Sequence, residues 1–271
     1  MQDITSSNRA TVLASLIEEA PYYLRDSRDE EPYCVSKLKD GNLWLLDNLR
    51  LDLTDSDVLN NTTASNTHAS ATSLGYLKNG GGTTSDQYAI TGVVEWTDSQ
   101  TYASGYSYSD PLIATSYKDT INSNTSLNYG NGSHKYGVYY NFCAASAGSY
   151  CYGNGTSAGA SSGNATEDLC PAGWRMPTGG SCGEYNSLYG YYNTTQTATN
   201  TASLQYNLST PLSGYFYSGS ANDRGTDGNF WSSTRRFNDS MYYLILTSDI
   251  VNPTNSNGRF GGYSMRCLLD S

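Results

Sequence analysis

The sequence predicts an α+β domain tied together by disulfides, and three observations carry that expectation. Apolar residues recur at helical spacing in only two places, within residues 6–19 and 181–192. About eight short strand-like runs, separated by Gly, Asn, Asp and Ser, account for the other apolar clusters. Six cysteines, none in a CxxC pair, supply the cross-links. With 271 residues the chain can bury a substantial core unaided, and a single domain over 1–271 is expected, with a loop-rich insertion at about 54–135.

In chain order, "SSNRATVLASLIEE" sets Val12, Leu13, Leu16 and Ile17 on one helical face behind Ser and Asn caps, and Pro21 ends it. "PYCVSKLKDGNLWLLDNLRLDL" reads as a hairpin about Asp40-Gly41, with Tyr33, Val35 and Leu38 on one arm and Leu43, Leu45 and Leu46 on the other. Between Thr54 and Lys135 only short islands such as "YAITGVVEW" read as strands. Trp96, Tyr102, Tyr106 and Tyr108 there suggest loops packed on the domain. Ser181 is the expected cap of a second helix, with Glu184 three residues on and Tyr185, Leu188, Tyr189 and Tyr192 on one face. "PLSGYFYSG", "FWSST", "MYYLILTS" and "YSMRCLL" then read as strands joined by long polar loops.

Charged residues make up 15% of the chain, against roughly 25% in typical globular domains, while Tyr (25) and Gly (27) are abundant. A surface of Ser, Thr, Asn and Tyr in place of Lys and Glu points to an extracellular protein or a binding surface, since Tyr offers rigid amphipathic contact and Ser, Gly and Asn adaptable hydrogen bonds. A net charge of −10 disfavours nucleic acid and anionic membranes as partners. No apolar run approaches the roughly 20 residues of a membrane-spanning helix. Residues 1–20 lack the basic and apolar regions of a signal peptide, so any export signal or anchor is expected outside this sequence.

His68 and His134 are the two imidazoles, both in Gly, Ser and Asn surroundings, so structural disulfides are favoured over a metal cluster. The short Gly and Ser loop "CAASAGSYC" suggests Cys143 with Cys151. Cys170 with Cys267 would tie the start of the C-terminal half to its last strand, and elimination leaves Cys34 with Cys182.

Four stretches, "RDSRDEEPYCVSKLKDGNLWLLDNLRL", "YGVYYNFCAASAG", "LCPAGWRMPTGGSCGEYNSLYG" and "FWSST" through to "SMRC", together resemble the Fibrobacter succinogenes major paralogous domain and its surface-protein relatives in candidate-phylum bacteria. The resemblance covers residues 22–50 and 136–271. It implies a C-type lectin-like fold near the formylglycine-generating subgroup. It also implies kinship with variable proteins of diversity-generating retroelements, in which adenines of a C-terminal repeat are randomised, mainly at Asn codons. Those codons never yield Lys, Glu, Gln or Trp, and none of these occurs from Ser232 to the C-terminus.

In such a fold the last strands form a scaffold and their connections the ligand face. The resemblance thus implies a variable region over 230–267, with Phe230, Trp231, Ser232, Ser233, Tyr243, Leu244, Val251, Pro253, Arg266 and Cys267 constant. The implied ligand contacts are Arg235, Arg236, Phe237, Asn238, Asp239 and Tyr242 around the first connection. Asp249, Asn252, Asn255, Asn257, Arg259 and Phe260 follow around the second.

Other chemistries find less support. Trp231-Ser232-Ser233 stands where sugar-binding lectins carry WND, and no EPN or QPD occurs, which disfavours calcium-dependent sugar binding. Asp223, Asp227 and Asn229 could place oxygens around a structural calcium, although a polar Gly turn explains them as well. Cys267 stands alone where formylglycine-generating relatives need two reactive thiols, and no GxSxG elbow is present. Glu30 with Glu31, and Asp55 with Asp57, read as solvated turns, and Gly80–Gly82 lacks the Lys of a phosphate loop. The expectation is a non-enzymatic, extracellular or cell-surface binding domain without a cofactor, facing an unidentified protein or glycan. An enzyme of the formylglycine-generating or polysaccharide-acting type, and a self-associating surface module, are the alternatives.

Overall fold

In the computed structural model of the chain, the described residues are 1–51, 53, 55–78, 93–95, 138–149, 163–193, 204, 208, 210, 212–217, 220–223, 225–237, 240–259 and 261–270. In chain order their elements are α1 (Arg9–Ser15), β1 (Tyr22–Arg25), β2 (Pro32–Lys37), β3 (Leu43–Leu45), α2 (Ser56–Asn61), α3 (Ala71–Lys78), β4 (Val93–Glu95), β5 (Val138–Tyr140) and α4 (Phe142–Ala145). Then come β6 (Gly163–Asn164), β7 (Trp174–Arg175), α5 (Glu184–Tyr192), β8 (Tyr215–Tyr217), β9 (Ser220–Asn222), β10 (Gly228–Arg235), β11 (Ser240–Leu246), β12 (Val251–Gly258) and β13 (Leu268–Leu269). The class is mixed α+β with antiparallel sheets. One sheet runs β1-β2-β3-β13-β7, another runs β12-β11-β10-β6, and β4-β5 and β8-β9 form two-stranded ribbons.

The hairpin expected about Asp40-Gly41 is β2–β3, with Val35 opposite Leu45 and Lys37 opposite Leu43. Gly41 sits at φ +81°, where a side chain would strain the turn. The Asp40 carboxylate fastens the far side of the turn, accepting from Asn42 Nδ2 and Trp44 Nε1 at 2.9 Å each. Helix α1 is shorter than 6–19. Val12, Leu13 and Leu16 pack on the core, whereas Ile17 lies beyond the helix and is 70% exposed.

Two elements inside the expected insertion carry little apolar pattern, and both are helices. Asp55 caps α2, accepting from the Asp57 and Val58 amides, and α3 follows. The reading of "YAITGVVEW" as a strand is met by β4 pairing with β5, while Trp96, Tyr102, Tyr106, Tyr108 and His134 lie outside the described residues. Helix α5 starts at Glu184, not behind Ser181. Thr178 and Glu184 hold each other across the Gly179–Gly183 loop, Glu184 N donating to Thr178 Oγ1 at 2.9 Å and Thr178 N to Glu184 Oε2 at 2.8 Å.

The largest departure from the sequence reading is β12. "VNPTNSNG" has no apolar period, yet it forms an eight-residue strand against β11, with Ser256 opposite Tyr242 and Asn255 opposite Tyr243. Five helices, rather than two, occur among the described residues.

Alternation along β10 and β11 buries the centre of their sheet on both faces. Trp231 and the facing Tyr243 join a core cluster with Phe142, Trp174 and Met265; Phe230 and the facing Leu244 join another with Trp44, Tyr185 and Leu188. The stretch after β12 threads between the sheets. Phe216 and Gly262 exchange backbone bonds, as do Tyr140 and Tyr263, while Ser264 O accepts from Trp231 N and Cys267 O from Leu45 N. Buried Arg266 donates to Asn48 Oδ1 and to the carbonyls of Leu45, Leu46 and Leu208.

Cys170 and Cys267 form the expected disulfide, with Cα atoms 5.8 Å apart. Cys143 is also disulfide-bonded, and Cys151 lies outside the described residues. The expected bridge between Cys34 and Cys182 does not form. Cys34 is buried in β2 among the second cluster, Cys182 is exposed ahead of α5, and both are thiols.

At the β1–β2 turn, fully buried Arg28 is forked onto Asp26 and reaches Leu169 O at 2.6 Å, docking the turn onto the segment that leads to the disulfide. Asp29 beside them accepts from Tyr33 OH at 2.6 Å. Burial, reinforced by the charge of Asp26, pushes Asp29 from 3.8 up to about 6.

Two outcomes follow. Because folding raises the affinity of Asp29 for its proton, its contribution to stability is largest below 3.8 and declines as pH rises towards about 6. In Asp29→Asn that decline, about 2 kcal/mol, should disappear from urea titrations run across that window. Trp231→Ala removes a fully buried indole at the junction of the cores and should cost about 3–5 kcal/mol in the same assay.

Candidate binding surface at the end of the C-terminal sheet

With the centre of the β12-β11-β10-β6 sheet covered on both faces, its side chains meet solvent at the β10–β11 turn and along β12. The turn is shaped by a bulge. Trp231 faces Tyr243 and Arg235 faces Met241, so more β10 residues than β11 residues lie between these pairs. The extra residues bond outwards. Ser232 Oγ reaches Tyr242 O at 2.8 Å, Ser233 N reaches Pro177 O at 2.8 Å, and Ser233 O accepts from Ala165 N at 2.7 Å.

Beyond the bulge, neighbouring residues take opposite roles. Arg235 is 2% exposed, and its Nε donates to Phe237 O at 2.8 Å, bracing the turn from inside. This corrects its expected place in the ligand face. Arg236 and Phe237 are exposed, and both their amides bond to Ser240 O. The Arg236 guanidinium lies 4.8 Å from the Phe237 ring centre and 5.8 Å from that of Tyr242, and its Nη1 donates to Ser256 Oγ at 2.6 Å. Tyr242 itself is half-buried against Gly179 and Gly180. A Cβ on Gly179 would stand 2.7 Å from Tyr242 Cβ, and one on Gly180 would meet the Tyr242 ring at 3.3 Å. The "TGG" before α5 is thus the seat of Tyr242.

The asparagines of β12 do different work. Tyr242 O faces β10, where Ser232 bonds it, so the amide of the opposing Ser256 points away from the sheet. That amide is taken by Asn255 Oδ1 at 3.0 Å; likewise Thr254 N by Asn252 Oδ1 at 3.0 Å and Gly258 N by Asn257 Oδ1 at 2.8 Å. The other ends of two of these carboxamides hold tyrosines. Asn255 Nδ2 donates to Tyr243 OH at 2.7 Å, and Asn257 Nδ2 to Tyr263 OH at 2.8 Å. Burial pushes both phenols above their ordinary value, so they stay neutral partners of the carboxamides. Asn252, Asn255 and Asn257 therefore cap the outer edge of the sheet and pin its aromatic core.

The remaining expected contacts are scattered. Asp249 is exposed in the turn at the opposite end of β11, about 20 Å away along a seven-residue strand. Arg259 is half-buried with its carbonyl bound by Phe142 N. Asn238, Asp239 and Phe260 lie outside the described residues. Among the expected residues, ring and guanidinium contacts join Arg236, Phe237 and Tyr242, and Ser256 completes the group. Ser256 escaped the sequence reading because its pairing with Tyr242 appears only once β12 is known to be a strand.

Other chemically suggestive groups resolve into local structure. His68 Nδ1 lies 3.1 Å from Asp168 Oδ2, and that bond pushes the imidazole above its ordinary value. The Asp168 carboxylate also accepts the Cys170 and Met176 amides, so the pair clasps the loop at the disulfide. Asp55 is a helix cap and Glu30 pairs with Arg25 at the surface. Burial and the charge of Asp223 push the Tyr215 phenol up, and burial and the same charge push Asp227 up. Among the described residues, no three His, Cys, Asp or Glu side chains converge as metal ligands, and no helix is long and apolar enough to cross a membrane.

Substituting Asn252, Asn255 and Asn257 together by Ala should free the amides of Thr254, Ser256 and Gly258 for pairing between molecules, and light scattering should report concentration-dependent oligomers. Asn255→Ala alone should cost about 1–3 kcal/mol in thermal unfolding, since it strands a tyrosine hydroxyl and a backbone amide.

Comparison with known proteins finds no matching family model, no curated relative and no similar solved structure.

Proposed function

We propose that the chain is a non-enzymatic ligand-binding domain of C-type lectin-like fold, displayed outside the cell, whose contact surface centres on Arg236, Phe237 and Tyr242. The observation that carries this reading is the division of labour along the C-terminal sheet. Trp231, Tyr243 and Tyr263 are locked in the core, with Trp231 and Tyr263 ring centres 4.3 Å apart. A few residues away, Arg236 and a 59% exposed Phe237 stand on a turn that the bulge, Arg235 and Ser240 hold in place. Arg and Tyr are among the residue types that dominate binding energy at interfaces, and here they stand beside an exposed apolar ring on a braced turn.

The diversified-repeat reading narrows accordingly. Among the described residues of this surface, Arg236 and Phe237 are the positions free to vary at small folding cost, whereas Tyr242 is seated on Gly179 and Gly180, and Arg235, Asn252, Asn255 and Asn257 carry structural bonds. Sequencing the DNA downstream of the gene tests this. The expected result is a near-copy of the segment coding for Phe230 to Cys267, differing at adenines concentrated in codons 236–239, followed by a reverse transcriptase. Absence of the copy would leave a surface domain of fixed specificity. Adenine differences concentrated at the codons of Trp231 or Tyr263 would overturn the assignment of the surface.

A further inference from the structure

We propose that the Arg236 patch recognises a protein partner through an Asp or Glu carboxylate of that partner lying beside an apolar side chain; this deepens the binding reading above and rests on it. Charge inventory is the starting point. The chain has 25 Asp and Glu against 15 Lys and Arg, so acidic side chains outnumber cations. Accordingly Arg25, Arg28, Arg50 and Arg175 each pair with a carboxylate. Arg236 pairs with none among the described residues.

Its guanidinium is nevertheless already positioned. Nη1 is fixed on Ser256 Oγ at 2.6 Å, and the plane is flanked by Phe237 and Tyr242. Much of the rotamer entropy that an arginine loses on binding is thus lost before a partner arrives. The edge carrying Nε and Nη2 remains for a carboxylate, which guanidinium geometry matches with two parallel hydrogen bonds.

Phe237 decides which kind of molecule brings that carboxylate. Sugar recognition by aromatic residues uses an open ring face, but the Tyr242 ring rests on Gly180 on one side and has Arg236 near it. Phe237 instead projects from a turn, a shape suited to insertion among the apolar side chains of another protein. Local complementarity works despite the acidic whole, because charges beyond about 8 Å are screened at physiological ionic strength.

A random peptide library displayed on phage and selected on the intact chain tests the proposal. Recovered peptides should be enriched in Asp and Glu next to an apolar residue. Their affinity should fall at least tenfold in Arg236→Gln, with partial recovery in Arg236→Lys, and near-ultraviolet circular dichroism should stay unchanged. Replacing the peptide's Asp or Glu by its amide should cause the same loss on the unaltered chain, a readout that does not depend on the variants folding. Peptides that lose affinity in Phe237→Ala but ignore both Arg236→Gln and the amide change would overturn the carboxylate while keeping the binding surface. A library yielding no peptide sensitive to Phe237→Ala would overturn both. Binding of sialylated or uronic-acid glycans at this patch, with no acidic peptides recovered, would overturn the protein partner.

Discussion

Everything in the C-terminal half depends on the segment from Gly261 to Cys267 being able to pass from one sheet to the other, and Arg266 is what makes that possible. A guanidinium 1% exposed is costly unless its donors are met. Here one arginine takes Asn48, the Leu45 and Leu46 carbonyls of the first sheet and the Leu208 carbonyl, while lying 5.2 Å from the Phe230 ring of the second. Nε meets Asn48 Oδ1 while Nη1 reaches the three carbonyls, so one guanidinium ties the two sheets into one arrangement. The Cys170–Cys267 bond next to it closes a separation of 97 residues, and by the chain-entropy argument such a link restricts the unfolded chain by about 4–5 kcal/mol.

A sheet with core on both faces has little surface left for recognition, and this geometry assigns the roles of its residues. At the centre of the β10–β11 pair, alternate side chains enter one core or the other. Where β10 bulges and turns, side chains can face water without leaving a void, and there the period of two separates Arg235, drawn inside, from Arg236, left outside. Two adjacent arginines of identical chemistry thus do opposite work because of a register set several residues away at Trp231 and Tyr243.

Legibility followed the source of each element's stability. The β2–β3 hairpin was readable because Asp40-Gly41 and the flanking apolar residues specify it locally. Strands β10 and β11 were readable because Phe230, Trp231, Leu244 and Leu246 are apolar. Strand β12 was not, since its residues are polar on both faces and its pairing comes from β11, a contact no local pattern encodes. Helices α2 and α3 escaped for a related reason, their Ser, Thr and Asn being poor helix formers. Within the candidate surface, residue type nominated Arg236, Phe237 and Tyr242 together with Arg235 and three asparagines, and the last four bond within the chain. Type alone cannot distinguish a donor held for a ligand from one already bound within the chain.

The asparagine caps of β12 also govern how slowly this edge trades its protons with water. Outward amides of an edge strand ordinarily exchange as fast as those of a loop, since nothing need open to release them. Here Thr254, Ser256 and Gly258 can exchange only after a carboxamide swings away, and for Ser256 and Gly258 that same carboxamide holds a core tyrosine. The rim of the sheet is therefore coupled to the motions of its aromatic interior, and the two should loosen together.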